Sequence, residues 1–190
     1  MKIYFVRHGE ATHLEEDWHK NRISRKEFIK KMIEWENVNL TELGKSQAVD
    51  VAEKLPNDYK FIYSSPLPRT TQTADRLNIH HKEVHIIHDL KEIVTTPPRI
   101  FMFMKLSIYT WIYICIISSI FNGQIFRITK KARKLYKYFR ETNTDIVVVS
   151  HAMRIRSFVY YAYFVPGLKV IKEDFTPCGV SAILFCEKDI

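Results

Sequence analysis

Lys2-Ile3-Tyr4-Phe5-Val6-Arg7-His8-Gly9-Glu10 opens the chain with an apolar run that breaks on a guanidinium and an imidazole. The run predicts a strand, and the ends of strands are where open α/β sheets bind ligands. A neutral imidazole can attack phosphorus, and an adjacent Arg can hold two phosphoryl oxygens in a bidentate fork. Arg7 and His8 together therefore suit phosphoryl transfer through a covalent histidine intermediate. Four residues alone are equally compatible with an Arg and a His that merely end a strand, so the rest of the chain decides.

Two later junctions repeat the pattern. Phe61-Ile62-Tyr63 is a short strand-like run followed by Ser64-Ser65-Pro66-Leu67-Pro68-Arg69-Thr70-Thr71-Gln72-Thr73-Ala74, whose prolines and hydroxyls suit a helix start. Arg69 then falls in the first helical turn, beside free backbone N–H groups that favour an anion. Asp145-Ile146-Val147-Val148-Val149-Ser150 is β-branched and runs into His151-Ala152-Met153-Arg154, again a strand meeting an imidazole. Two His and two Arg thus stand at strand ends or helix starts on one side of a predicted sheet.

With these blocks in order, the chain resembles the histidine phosphatase superfamily, also called phosphoglycerate mutase-like. Leu40-Thr41-Glu42-Leu43-Gly44-Lys45-Ser46-Gln47-Ala48 is similar to that family's Leu-Thr-x-x-Gly-x-x-Gln-Ala helix. The resemblance implies that His8 is the nucleophile and that Arg7, Arg69 and His151 form the phosphate pocket. It also implies that Glu92, in Asp89-Leu90-Lys91-Glu92, is the proton donor. The implied activity is phosphomonoester hydrolysis through a phosphohistidine on His8. No metal or cofactor is expected, since cationic side chains do the electrostatic work, with a protonated His151 among them.

The departures from the family pattern bear on function. Ala11 and Leu14 stand where fuller members carry a Thr or Ser and an Asn that reach the phosphate, and Ala152 stands where Gly is usual. After Glu92 comes Ile93-Val94-Thr95-Thr96-Pro97-Pro98, without the Tyr-Gly of the glycolytic mutases or the Trp-Glu-Gly of many phosphatases. A phosphohistidine protein phosphatase and a mutase-type phosphotransferase stay as alternatives. From another class, so does a membrane-associated or dimeric interaction protein on a phosphatase scaffold. Should Glu92 fail as the acid, Glu10 is the next carboxylate to test. His13, His19, His80, His81, His85 and His88 read as loop or surface residues, because none has metal-cluster spacing with carboxylates.

The 190 residues, 46% of them hydrophobic, suffice for one domain over 1–190 with a single core. Three Cys without metal-type spacing, and a start that lacks a signal peptide's apolar stretch, point to a reducing cytoplasm. The net charge of +8 gathers in 127–140, where Ile128, Ala132, Leu135 and Phe139 recur at helical spacing. That reads as a solvated helix face rather than a nucleic-acid surface. The expected partner is a small phosphorylated substrate, with no nucleic acid.

Strand-like runs at 2–6, 60–63, 84–87, 145–149 and 181–186 alternate with helical patterns. This predicts an α/β fold, a three-layer α/β/α sandwich with a mostly parallel central sheet. Thr41 should cap a helix whose Leu43, Ala48, Val51, Ala52 and Leu55 form a buried stripe. Helical insertions are expected at about 15–37 and 97–122 near the site mouth, the first a surface helix serving as a lid. Leu106 to Phe121 carries no charge but falls short of the roughly 18 to 20 residues that span a bilayer. A crossing there would also part His151 from His8. Burial beneath neighbouring elements or in a homodimer interface is therefore favoured over contact with a membrane surface.

Overall fold

The computed structural model describes residues 1–14, 17–93 and 95–186. Glu15 and Glu16, the start of the first expected insertion, and Val94, in the segment after Glu92, lie outside the described residues. Among those described, the strands in chain order are β1 (Lys2–Arg7), β2 (Arg22–Ser24), β3 (Phe61–Ser64), β4 (Glu83–Ile86), β5 (Lys105–Ser107), β6 (Ile146–Ser150), β7 (Leu168–Lys172) and β8 (Val180–Phe185). The α-helices are α1 (Arg25–Glu34), α2 (Glu42–Ala52), α3 (Pro68–Leu77), α4 (Ile108–Phe121), α5 (Gln124–Glu141) and α6 (Ala152–Tyr163).

Six strands form the central sheet in the order β4-β3-β6-β1-β8-β7. The first four run parallel, and β8 and β7 are antiparallel to their neighbours. Period-2 alternation loads both faces. Ile3 and Phe5 of β1, with Ile146 and Val148 of β6, pack under α5 and α6 beside Ala132, Phe139, Phe158 and Val159. Val6, Val147 and Val149 face the other way, against Ala48 and Val51 of α2 and Ala74 and Leu77 of α3. A strand buried on both faces must be apolar throughout, which is why Ile146-Val147-Val148-Val149 stood out in the sequence.

The predicted α/β/α sandwich is therefore the fold, with each expected strand displaced by a residue or less at its start. Two features were not foreseen. Leu168–Lys172 forms the antiparallel edge strand β7, where Leu168 and Val170 are half-buried against the core and Lys169, Ile171 and Lys172 are exposed. Leu43 is 54% exposed, contrary to its place in the expected stripe. Gly44 next to it packs against the backbone of Gly9 and Glu10, and a turn of about 100° per residue then sends Leu43 to solvent.

The two insertions fold onto each other. β2 and β5 pair antiparallel, Ile23 opposite Leu106, and Trp111 Nε1 donates to the Ile23 carbonyl at 2.9 Å. Phe28, Trp35, Ile108, Trp111 and Cys115 form a separate apolar cluster between them. The expected helix over 15–37 is really β2, then α1 started by a Ser24/Glu27 capping box, then a short 3-10 turn at Trp35–Asn37. The uncharged stretch forms α4, but burial is confined to one side: Trp111 and Cys115 are inside, while Tyr113, Ile117 and Phe121 are exposed. Among the described residues no single helix is long and apolar enough to cross a membrane; α4 and α5 pass that test only as a pair bent by 85°.

Candidate active site

Parallel packing of β1, β3 and β6 brings their C-terminal ends to one edge of the sheet. His8 follows β1, Ser65 follows β3 and His151 follows β6; His8 N–H donates to the Ser150 carbonyl and Ser65 N–H to that of Val149. The rings of His8 and His151 lie 5.2 Å apart. Arg69, in the first turn of α3 after Pro68, is 4% exposed and reaches under His8. The three junctions read from the sequence thus converge.

The hydrogen bonds assign the two nitrogens of His8. Nδ1 lies 2.7 Å from the Gly9 carbonyl, an acceptor only, so Nδ1 carries the proton. Nε2 then holds a lone pair and accepts from Arg69 Nε at 3.2 Å. Burial first, then Arg69 and Arg7, hold the His8 pKa well below its usual range, so the ring is neutral. Arg69 is fixed from its far side by donation from Nη1 to the Trp35 carbonyl at 2.6 Å. Burial lowers its pKa to about 10, which leaves it cationic at neutral pH.

The remaining motif residues hold this loop. Gly9 N–H donates to Thr73 Oγ1 and Glu10 N–H to Gln47 Oε1, while Leu40 N–H donates to Gln72 Oε1. A Cβ on Gly44 would stand 2.0 Å from the Glu10 carbonyl oxygen. Only glycine therefore lets the first turn of α2 touch the loop that carries His8. Thr41 Oγ1 donates to a Glu10 carboxylate oxygen at 3.1 Å, and Glu10 does not line the cavity around His8. The reserve acid named from the sequence is therefore turned away from the site.

Glu92 does line that cavity, with Arg7, His8 and Arg69. One of its oxygens accepts from Ile93 N–H at 2.8 Å. Burial raises its carboxyl pKa, and Arg69, Arg7 and Arg154 only partly offset this. Arg7 Nη1 donates to the Phe175 carbonyl at 2.9 Å. Among the described residues, Thr144 Oγ1 aside, the buried side-chain polar atoms without a partner are Arg7 Nε, His13 Nδ1, His151 Nδ1 and Arg154 Nη1. Such an atom costs about 1–3 kcal/mol, and three of the four belong to Arg7, the loop after it and the imidazole facing His8. At His151, burial and then Arg69 depress the pKa well below the usual value. Before substrate binds, the His151 ring is therefore neutral, and the protonated form expected from the sequence is one for the phosphate-bound site.

His13 corrects the surface half of an expectation. Read as a loop or surface residue, it is buried, lines the cavity, and sits 5.9 Å from the His8 ring. Burial and the two arginines push its pKa down to about 3. Its ring also packs on Trp18 and Trp35, which stack on each other at 5.2 Å. Its place five residues after His8 in one loop was the available signal. His19 also lines the cavity, stacked on Tyr109 at 4.2 Å. Among the described residues no group of three or more His, Cys, Asp or Glu is placed to hold a metal ion.

The family model of the histidine phosphatase superfamily, branch 1, matches residues 3–95. That stretch carries Arg7, His8, Arg69 and Glu92; His151 lies beyond it. No curated protein matches by sequence. Among solved structures, a phosphoserine phosphatase from Entamoeba histolytica in complex with 3-phosphoglyceric acid is 23% identical. The similarity covers 85% of this chain and 79% of that one, with a TM-score of 0.60. An alpha-ribazole phosphatase from Shigella flexneri is 18% identical over 87% of this chain and 81% of that one, with a TM-score of 0.59. A protein from Thermus thermophilus is 16% identical over 96% and 92%, with a TM-score of 0.55. At these identities the structures establish a shared fold.

Proposed function

Because residues 3–95 match the family model of the histidine phosphatase superfamily and the fold is shared with solved phosphatases over 85% of the chain, we propose that it hydrolyses phosphomonoesters through a phosphohistidine on His8. The observation that carries this reading is the divided imidazole. Nδ1 is tied to the Gly9 carbonyl, and Nε2 offers its lone pair beside Arg69 in a buried cationic pocket.

His8 Nε2 attacks phosphorus as the ester P–O bond breaks, and Arg7 and Arg69 balance the charge on the equatorial oxygens. His151, neutral beforehand, gains a reason to hold a proton once a dianion lies beside it. The Glu92 carboxyl gives its proton to the leaving oxygen. Its carboxylate then takes a proton from the water that attacks phosphorus, the N–P bond breaks, and inorganic phosphate leaves. A raised carboxyl pKa suits that double duty.

The cover that α1 and α4 build over the cavity favours a small substrate over a phosphohistidine on a protein surface. A cytoplasmic setting goes with this reading. Brief reaction with a labelled phosphomonoester should leave an acid-labile, base-stable phosphoryl group on His8, and His8→Ala should abolish both label and turnover. Full activity in His8→Ala, or a label elsewhere, would sink the proposal.

A further inference from the structure

The cavity that ends on His8 is far larger than a phosphate needs. Its volume is about 1160 Å³, beyond the roughly 300–1,000 Å³ of ordinary ligand pockets, and most of its lining away from His8 is apolar. Arg7, His8, His13, Arg69 and Glu92 surround the seat for phosphate, and Asp17, His19, Glu36, Lys91 and Arg156 also line the cavity, while α4 and α6 supply facing walls with Ile128 of α5 beside them. Ile112, Ile116 and Ile120, at the helical spacing of one face, supply the α4 side over about 12 Å of axial rise. Tyr160 and Phe164 supply much of the other.

Three aliphatic hydroxyls on these walls are already committed. Ser119 donates to the Ile116 carbonyl, Thr129 to that of Phe126 and Ser157 to that of Arg154. At the far end Ile120 is 52% and Phe164 86% exposed, so the groove opens among apolar side chains.

We infer that the alcohol half of the substrate is a long apolar chain laid along this groove, its phosphate seated at His8. The inference rests on the phosphatase reading for the seat and on the groove for the chain. Along the isoleucine face of α4 a polar alcohol body would shed water without recovering its hydrogen bonds, whereas each methylene buried there gains affinity.

Alkylphosphonates of two to ten carbons test this, because their C–P bond resists hydrolysis and binding is read apart from turnover. Kept below micelle-forming concentrations and followed by calorimetry, their affinity should climb about three- to fourfold per methylene until the groove is filled. In Ile116→Asn the decyl-to-ethyl affinity ratio should fall roughly tenfold, because the wall turns polar there. Affinity that ignores chain length, or a chain-length gain that Ile116→Asn leaves whole, would overturn the inference. Turnover of the matching alkyl phosphates is scored separately. Release of phosphate from none of them counts against the phosphatase reading, and release from the ethyl ester without gain on lengthening counts against the groove.

Discussion

Two carbonyl-to-nitrogen distances determine what the His8 imidazole can do. The Gly9 oxygen accepts a hydrogen bond from one nitrogen, and the Trp35 oxygen steadies Arg69 so that its Nε meets the other. Such an arrangement is a property of atoms brought from residues 8, 9, 35 and 69, and the motifs name all of these but Trp35. Glu92 is the least securely placed participant from sequence, since the residues after it depart from the family pattern. In the fold it shares a cavity with Arg7 and Arg69 and its carboxyl pKa is raised by burial. Glu92→Gln should therefore slow esters of poorly departing alcohols by roughly 10²- to 10⁴-fold. An aryl phosphate, whose leaving group needs less protonation, should lose far less. Steady-state kinetics on both esters check this, and equal small losses would remove Glu92 from the mechanism.

At the scale of elements, α4 shows how composition misleads. Its 14 residues are uncharged, and hydropathy alone makes no distinction among its faces. Packing does: Trp111 is fully buried against Phe28 and donates to the Ile23 carbonyl, while Ile117 is 54% exposed. Trp111→Ala should cost about 3–5 kcal/mol, the usual toll of a lost core aromatic. Ile117→Lys should change stability by no more than about 0.5 kcal/mol. Urea titration of the two variants separates them; a large loss in Ile117→Lys would mean that this face is covered by protein. Conversely, α2 and α3 were legible because their motifs state a contact. Gly44 and Gln47 meet the backbone of the His8 loop, and Thr73 meets Gly9.

For the molecule as a whole, three buried neutral imidazoles make stability depend on pH. His8, His13 and His151 titrate near 6.5 in an unfolded chain and are held well below that in the fold, His13 at about 3. Below about pH 6.5 the unfolded chain therefore binds more protons, and stability falls as pH falls. The limiting slope is about 1.4 kcal/mol per pH unit for each imidazole. Stability is full above that window, and for His13 the loss continues down to about pH 3. Glu92 works in the opposite sense: its raised pKa favours the fold below the ordinary carboxyl value of 4.5 and loses that contribution as pH rises through the folded value. Denaturation midpoints should drop between pH 7.5 and pH 5, before most carboxylates titrate. A flat profile would mean that the imidazoles are not held neutral inside.

The sequence by itself determined the α/β alternation, the doubly apolar β6, the motif residues at the strand ends and the His8, Arg7, Arg69 and His151 set. Each is written in local spacing, since a strand buried on both faces must be apolar and a parallel sheet puts strand ends together. What only the tertiary structure decided depends on separations of tens of residues. The two insertions pair through β2 and β5 to roof the site, and Arg69 finds its brace at Trp35, 34 residues upstream. His13 is buried because Trp18 and Trp35 close over it, and α4 exposes one face because neighbouring elements cover only the other. No local pattern encodes these outcomes. Burial of a side chain is a property of what folds against it, and the pKa of an imidazole follows from that burial.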